Sequence, residues 1–279
     1  MLAGLVMVTV AAASWGTWSL FLRPTGMPAT ATTPLMFAVM GLVTLPFALR
    51  GSRPVWDRTT IGLVLANTLF DACNVLTFFA ALWYTTVPIA VLTHYVAPIL
   101  IALAAPYVDG VQSRGTRPAA AVALLGLVII LEPWRSSTSG ATLGAALGVA
   151  SAFCYAGNLF TVRRLVTRIG ATRAMSYHSL IAAVVLSPLL VGQLSALSPF
   201  GVGLLSAGAI TIGATSGVVF AIGLARIGSA RAAVLTFAEP LVAVAVGALV
   251  WEEPLHLEAA LGGALVLGAG IYVVRKGST

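Results

Sequence analysis

Three ionisable residues stand at or near the centres of apolar stretches of this sequence: Asp71, His94 and Glu239. A charged side chain at the centre of a bilayer costs at least about 2.5–3.5 kcal/mol on insertion scales, so each is a candidate for function. Counted along helices at 1.5 Å per residue, all three fall within roughly 3 Å of one plane. Around Asp71, the spacing of Asn67, Asp71, Asn74 and Phe78 puts four residues on one helical face. An acid among amides reads as a wetted cavity wall, the alternative being a polar seam that glues neighbouring helices.

Trp15 and Trp18 lie three residues apart, and Tyr155 and Asn158 repeat that spacing. The rings of Trp15 and Tyr155 sit roughly 4–6 Å from the centres of their apolar runs, too deep for the headgroup belt. As cavity lining they suit an aromatic or apolar solute through stacking; as core they only pack. Pro98 and Pro240 interrupt two further runs. Proline removes the bond to the carbonyl four residues earlier, so the carbonyls of His94 and Thr236 are expected to be free at a pair of hinges bordering a cavity.

Other chemistry is poorly served. Lys276 is the only lysine, which excludes a Schiff-base or pyridoxal site in the apolar body. No GxxxxGK[ST] sequence occurs, so transport energy has to come from gradients, with His94, Asp71 or Glu239 as possible proton carriers. His178, off the centre of its run and without a polar companion on its face, reads as a satisfied core histidine. Neither it nor His94 has the extra ligands a metal site requires, and no cofactor is expected. An intramembrane hydrolase is a weak alternative: "GATSG" at Gly213 to Gly217 has Thr215 where a nucleophilic serine belongs, and His256 lies at a helix end. A structural scaffold leaves the mid-membrane ionisable groups unexplained. The lack of mid-membrane Arg and Lys argues against sugar phosphates or nucleotide sugars.

The elements that hold these residues follow from hydropathy. With 59% hydrophobic and 8% charged residues in 279 and a mean hydropathy of +1.01, the chain reads as an all-α integral membrane protein. Cuts at charges, prolines and Gly/Ser clusters predict ten spans: 2–22, 31–50, 60–83, 86–106, 116–132, 140–162, 172–192, 199–225, 230–250 and 255–274. With the N-terminus inside, thirteen of the fifteen basic residues fall on the internal side, among them Arg53, Arg58, Arg114, Arg163, Arg168 and Arg173, and only Arg23 and Arg135 outside. Both termini are therefore expected in the cytoplasm. The basic residues are scattered over short loops, which suits contact with anionic lipid and not nucleic acid. Trp56, Trp134 and Trp251, at span ends, read as interface anchors; Cys73 and Cys154 read as unpaired buried thiols.

Self-comparison reveals a repeat. "AVLTHYVAP" at Ala90 to Pro98 aligns with "AAVLTFAEP" at Ala232 to Pro240, and the same register pairs Gly126 with Gly268; "SWGTWSLFLR" from Ser14 aligns with "CYAGNLFTVR" from Cys154. Two five-helix halves, 1–135 and 136–279, must enter the membrane from opposite sides because five is odd. Inverted repeats are the architecture of secondary transporters. In this register Asn67, Asp71 and Asn74 map to Ala209, Gly213 and Ser216, so the acid belongs to one half only.

The Trp15-Gly16 start, the Tyr84-to-Pro98 stretch, the Glu239-Pro240 pair with Glu252 or Glu253 one span later, and the Gly262-to-Gly270 run resemble the EamA repeat of the drug/metabolite transporter superfamily. "HYVAP" at His94 to Pro98 is most similar to the YddG-like, aromatic-amino-acid exporter branch. The resemblance covers essentially the whole chain and implies a ten-helix bundle around a central cavity. It implies alternating-access export of small organic solutes, amino acids including aromatic ones among them, across the cell (inner) membrane; multidrug or other metabolite export is the alternative. The first half departs from the pattern, with Ala97 and Asp109 in place of the Glu-Pro acid and the acidic end. The expected solute-binding residues are Trp15, Trp18, Asp71, Asn74, Phe78, His94, Tyr95, Tyr155, Asn158 and Glu239. Solute, coupling ion and oligomeric state stay open, a monomer being compatible.

Overall fold

The computed structural model describes residues 1–50, 54, 56–110, 115–135, 141–252 and 257–277. Arg53, Arg114, Glu253 and His256 lie outside the described residues, as does the side chain of Arg135. Among the described residues every regular element is helical. We label the helical segments α1 (Leu2–Thr25), α2 (Ala29–Ala48), α3 (Arg58–Tyr84), α4 (Val87–Val108), α5 (Thr116–Leu131), α6 (Thr142–Ile169), α7 (Ala171–Leu186), α8 (Pro199–Ile227), α9 (Ser229–Val250) and α10 (Leu257–Lys276). Eight of these are long and apolar enough to cross a membrane, against the ten spans expected. The exceptions, α5 and α7, have 16 residues each, about 24 Å at 1.5 Å per residue. Left-handed Gly115 and Glu132 bound α5, and Ser187-Pro188 ends α7 before a single turn at Pro188–Val191.

Local breaks fall where the residues demand them. In α1 the four-residue ladder stops at Trp15, and Gly16, Thr17 and Trp18 each bond three residues back, at 3.0–3.2 Å. In α4 and α9 the helix breaks just before Pro98 and Pro240 and restarts at Ala97 and Ala238. The Thr236 carbonyl, expected to be free, accepts the Glu239 N–H at 3.0 Å. The chain tightens into a three-residue turn there, so the hinge satisfies itself. In α8 the segment Ala209–Thr215 widens into a π-helix.

The helices pack in pairs: α3 on α6, α2 on α7, α5 on α10, α1 on α8, and α4 on α9 and α6. The α5–α10 contact is a crossing of two glycines, where a Cβ at Gly126 would stand 2.6 Å from the Gly262 carbonyl oxygen. Only a residue without a side chain permits that approach. The largest buried cluster gathers Leu5, Val8, Ile101, Leu224 and Leu235 from α1, α4, α8 and α9, toward the end of the bundle that carries Arg163 and Arg226.

Candidate solute cavity

Between these pairs lies a cavity of about 390 Å³, walled by every helix except α5 and α10. Trp15 and Trp18 from α1, Asp71, Asn74 and Phe78 from α3, His94 from α4, Tyr155 and Asn158 from α6, and Glu239 from α9 all line it. Of the expected binding residues only Tyr95 is elsewhere. It is 8% exposed, packs on Phe237 with ring centroids 5.5 Å apart, and hydrogen-bonds to the Glu239 carboxyl from behind. One residue on from His94, the helix has turned it away from the cavity.

The α3 stripe divides. Asp71, Asn74 and Phe78 face the cavity, whereas Asn67 is fully buried, with its Oδ1 2.9 Å from the Thr161 hydroxyl. Asn67 is the helix glue that was the alternative for the whole stripe.

Two hydrogen-bonded groups organise the polar wall. In the first, the Ser151 hydroxyl donates to Asn74 Oδ1 at 2.9 Å and so accepts from His94 Nδ1 at 2.6 Å. A hydroxyl has one proton, so this chain assigns the imidazole proton to Nδ1. The His94 ring also lies tilted against Phe78 at 4.9 Å and edge-on to Tyr155 at 5.4 Å between centroids. In the second, Asn158 Nδ2 donates to Asp71 Oδ1 at 2.7 Å, and His178 Nε2 lies 3.1 Å from Asp71 Oδ2. His178 therefore does have a polar companion, contrary to expectation. Its partner comes from α3, and a search along the face of α7 alone had no means of finding it.

The aromatic wall is built around Trp15, whose ring lies 4.8 Å from Phe220. Its indole N–H donates to the Ile212 carbonyl at 3.2 Å, within the π segment. A π-turn releases carbonyls from the four-residue ladder, and such bulges gather at functional sites. Thr215 and Ser216 direct their hydroxyls to carbonyls five residues back, Ile210 and Thr211, in keeping with the π spacing. Gly213, the repeat image of Asp71, also lines the cavity.

Among the described residues no lysine or arginine lines the cavity, and the carboxyl groups that do are Asp71 and Glu239. Described arginines are held at the bundle's ends: Arg163 on Asp109 at 2.8 Å, Arg168 on Asp57 at 2.9 Å, Arg164 on the Val108 carbonyl and Arg173 on the Ala48 and Arg50 carbonyls. Among the described residues no three His, Cys, Asp or Glu side chains are placed to hold a metal ion.

Residues 142–275 match the model of the EamA-like transporter family. An "uncharacterized transporter" of Archaeoglobus fulgidus is 30% identical over 275 residues, covering 96% of this chain and 95% of that protein. A solved crystal structure superposes with a TM-score of 0.82 at 20% identity, covering 96% of this chain and 94% of its own, a likeness of fold.

Proposed function

The chain belongs to the EamA-like transporter family, and on that premise we propose that it exports small organic solutes by alternating access, amino acids and amines with an aromatic or apolar body foremost. The family points to a transporter and not an enzyme. The observation that carries the substrate reading is the cavity: about 390 Å³, within the range of small-molecule sites, with Trp15, Phe78, Tyr155 and Phe220 offering rings, Asp71 and Glu239 offering acids, and no lysine or arginine among the described residues that line it.

The architecture we infer is ten helices in two inverted halves, 1–135 and 136–279. Helix pairing supports it. Exchanging the halves turns the α1–α8 pair into α6–α3 and returns α2–α7, α4–α9 and α5–α10 to themselves. The short helices α5 and α7 then cross with local thinning of the bilayer or snorkelling of their flanks. The distribution of the basic residues supports a cell (inner) membrane location with both termini in the cytoplasm. Halves that meet across a cavity can rock about it, and the breaks before Pro98 and Pro240 are the hinges this motion uses.

The test is uptake of labelled amino acids by the purified protein in liposomes, with and without a pH gradient, for the parent and for His94→Gln and Glu239→Gln. Saturable uptake in the parent, altered in both variants with their melting unchanged, supports the reading. Uptake of no solute above protein-free liposomes overturns it.

A further inference from the structure

The Asp71–His178 contact contains a proton whose position is constrained by the rest of the network. His178 Nδ1 lies 2.9 Å from the Ala174 carbonyl oxygen. A carbonyl only accepts, so Nδ1 carries a hydrogen. Nε2 meets the Asp71 carboxyl oxygen at 3.1 Å, and a carboxylate also only accepts. A second proton therefore stands between them, either on Nε2 as imidazolium facing carboxylate or on Asp71 as acid facing neutral imidazole. Either way the pair has zero net charge. Loss of that proton would set an imidazole lone pair against a carboxylate.

A solute ammonium group can replace it. It brings three N–H donors, and two acceptors face each other here, Asp71 Oδ2 and the Nε2 lone pair that deprotonation uncovers; Asn158, whose Nδ2 is committed to Asp71 Oδ1, lines the same cavity. We propose that Asp71 and His178 form a proton-for-amine exchange site, holding one shared proton that leaves to water when a solute ammonium binds. The bond between that proton and Nε2 or Oδ2 breaks, no other covalent bond changes, and His178 keeps its Nδ1 hydrogen on Ala174. One positive charge leaves and one arrives, so the site stays neutral in both states and never holds a bare buried charge, the condition under which such groups are tolerated.

Among the described residues, the other charged and titratable groups on the packed helices are held elsewhere. From α3 itself only Arg58 is charged besides Asp71, at the helix start; α2 has no ionisable residue. The packed part of α8 offers Arg226, which is turned to Met7. On α7, Arg173 is held by the Ala48 and Arg50 carbonyls and the Tyr177 ring lies against Trp56; on α6, Arg163, Arg164 and Arg168 have the partners named above, and Tyr155 and Cys154 are the remaining titratable groups. Across the cavity stand His94, tied to Ser151, and Glu239, tied to Tyr95.

This inference rests on the transporter reading but fails separately from it. One arm needs no solute: ¹⁵N spectra of histidine-labelled protein in nanodiscs, with His178 identified among the three histidines by its loss in His178→Gln. At neutral pH, His178 is expected to show a protonated Nδ1 and an Nε2 that is protonated or strongly hydrogen-bonded, and Asp71→Asn should leave a simple Nδ1–H imidazole. An Nε2 that is bare in the parent overturns the proposal.

The second arm uses liposomes holding a pH dye, to which L-tyrosine, which keeps its ammonium at neutral pH, or its desamino analogue is added from outside. Tyrosine entry should expel protons and raise the internal pH at about one proton per solute, and Asp71→Asn and His178→Gln should each lose that exchange. Tyrosine entry without proton movement, or entry of the desamino analogue alone, overturns the exchange while leaving transport standing. Entry of no solute from the wider amino-acid panel overturns transport and exchange together.

Discussion

Arg163 Nη1 stands 2.8 Å from Asp109 Oδ1, and the Asp109 side chain is only 2% exposed. The other oxygen of Asp109 accepts the Ser229 backbone N–H at 3.2 Å. One carboxylate thus joins the end of α4, the end of α6 and the start of α9, alongside the apolar cluster of Leu5, Ile101 and Leu224. In the proposed mechanism this is a tie between the halves that must loosen whenever the cavity opens to that end.

Arg163→Met leaves a buried carboxylate without its counter-charge, which typically costs about 3–5 kcal/mol. Asp109→Leu with Arg163→Met removes both charges and should recover most of the loss. Thermal melting in detergent reads both, and a single variant as stable as the parent would show that the pair contributes little.

Trp15 both presents a ring and holds the π segment through Ile212. Trp15→Phe keeps the ring and loses the hydrogen bond, whereas Trp15→Ala loses both. Trp15→Ala and Tyr155→Ala should weaken uptake of aromatic solutes roughly 2- to 10-fold more than of aliphatic ones, the worth of one aromatic pairing, and Trp15→Phe should retain most of the preference. Equal losses for both solute classes would mean packing and not recognition.

Asp57 caps α3 through the Thr60 N–H at 2.7 Å and pairs with Arg168; these bonds hold its carboxyl down at about 2, against an ordinary 3.8. A carboxyl lowered on folding stabilises the fold fully above its unfolded value and stops doing so as pH falls through its folded value. Asp57→Ala should therefore melt below the parent at pH 7, and the gap should close as the pH approaches 2. A gap that stays constant from pH 7 to 2 would assign the effect to something other than ionisation.

Sidedness is open to labelling. Single cysteines at Ser52 and Ser278, on a background without Cys73 and Cys154, should both react only from the cytoplasmic face, as the distribution of basic residues requires. Reaction of either from outside would invert the orientation proposed here.

Hydropathy and charge by themselves determined that this chain is helical and membrane-embedded, because a bilayer leaves so few ways to satisfy a backbone. They also give an expected depth for each residue, because residues in a helix advance by a constant rise. That is why Asp71, His94 and Glu239, distant in sequence, could be read as neighbours, and all three line one cavity. What the chain alone did not decide is the rotation of each helix about its axis, since that depends on which partner it meets. Asn67 and Asp71 are one turn apart on one face, yet Asn67 is sealed against Thr161 on α6 while Asp71 reaches the cavity. Tyr95 was turned out of the cavity for the same reason. His178, off the centre of the span expected from sequence, lies at the middle of the shorter α7 and has a carboxyl partner only because α7 packs across α2 and α3. Hydrogen bonds within a helix repeat at a known spacing; those between helices follow from packing, and there the tertiary structure alone supplied the answer.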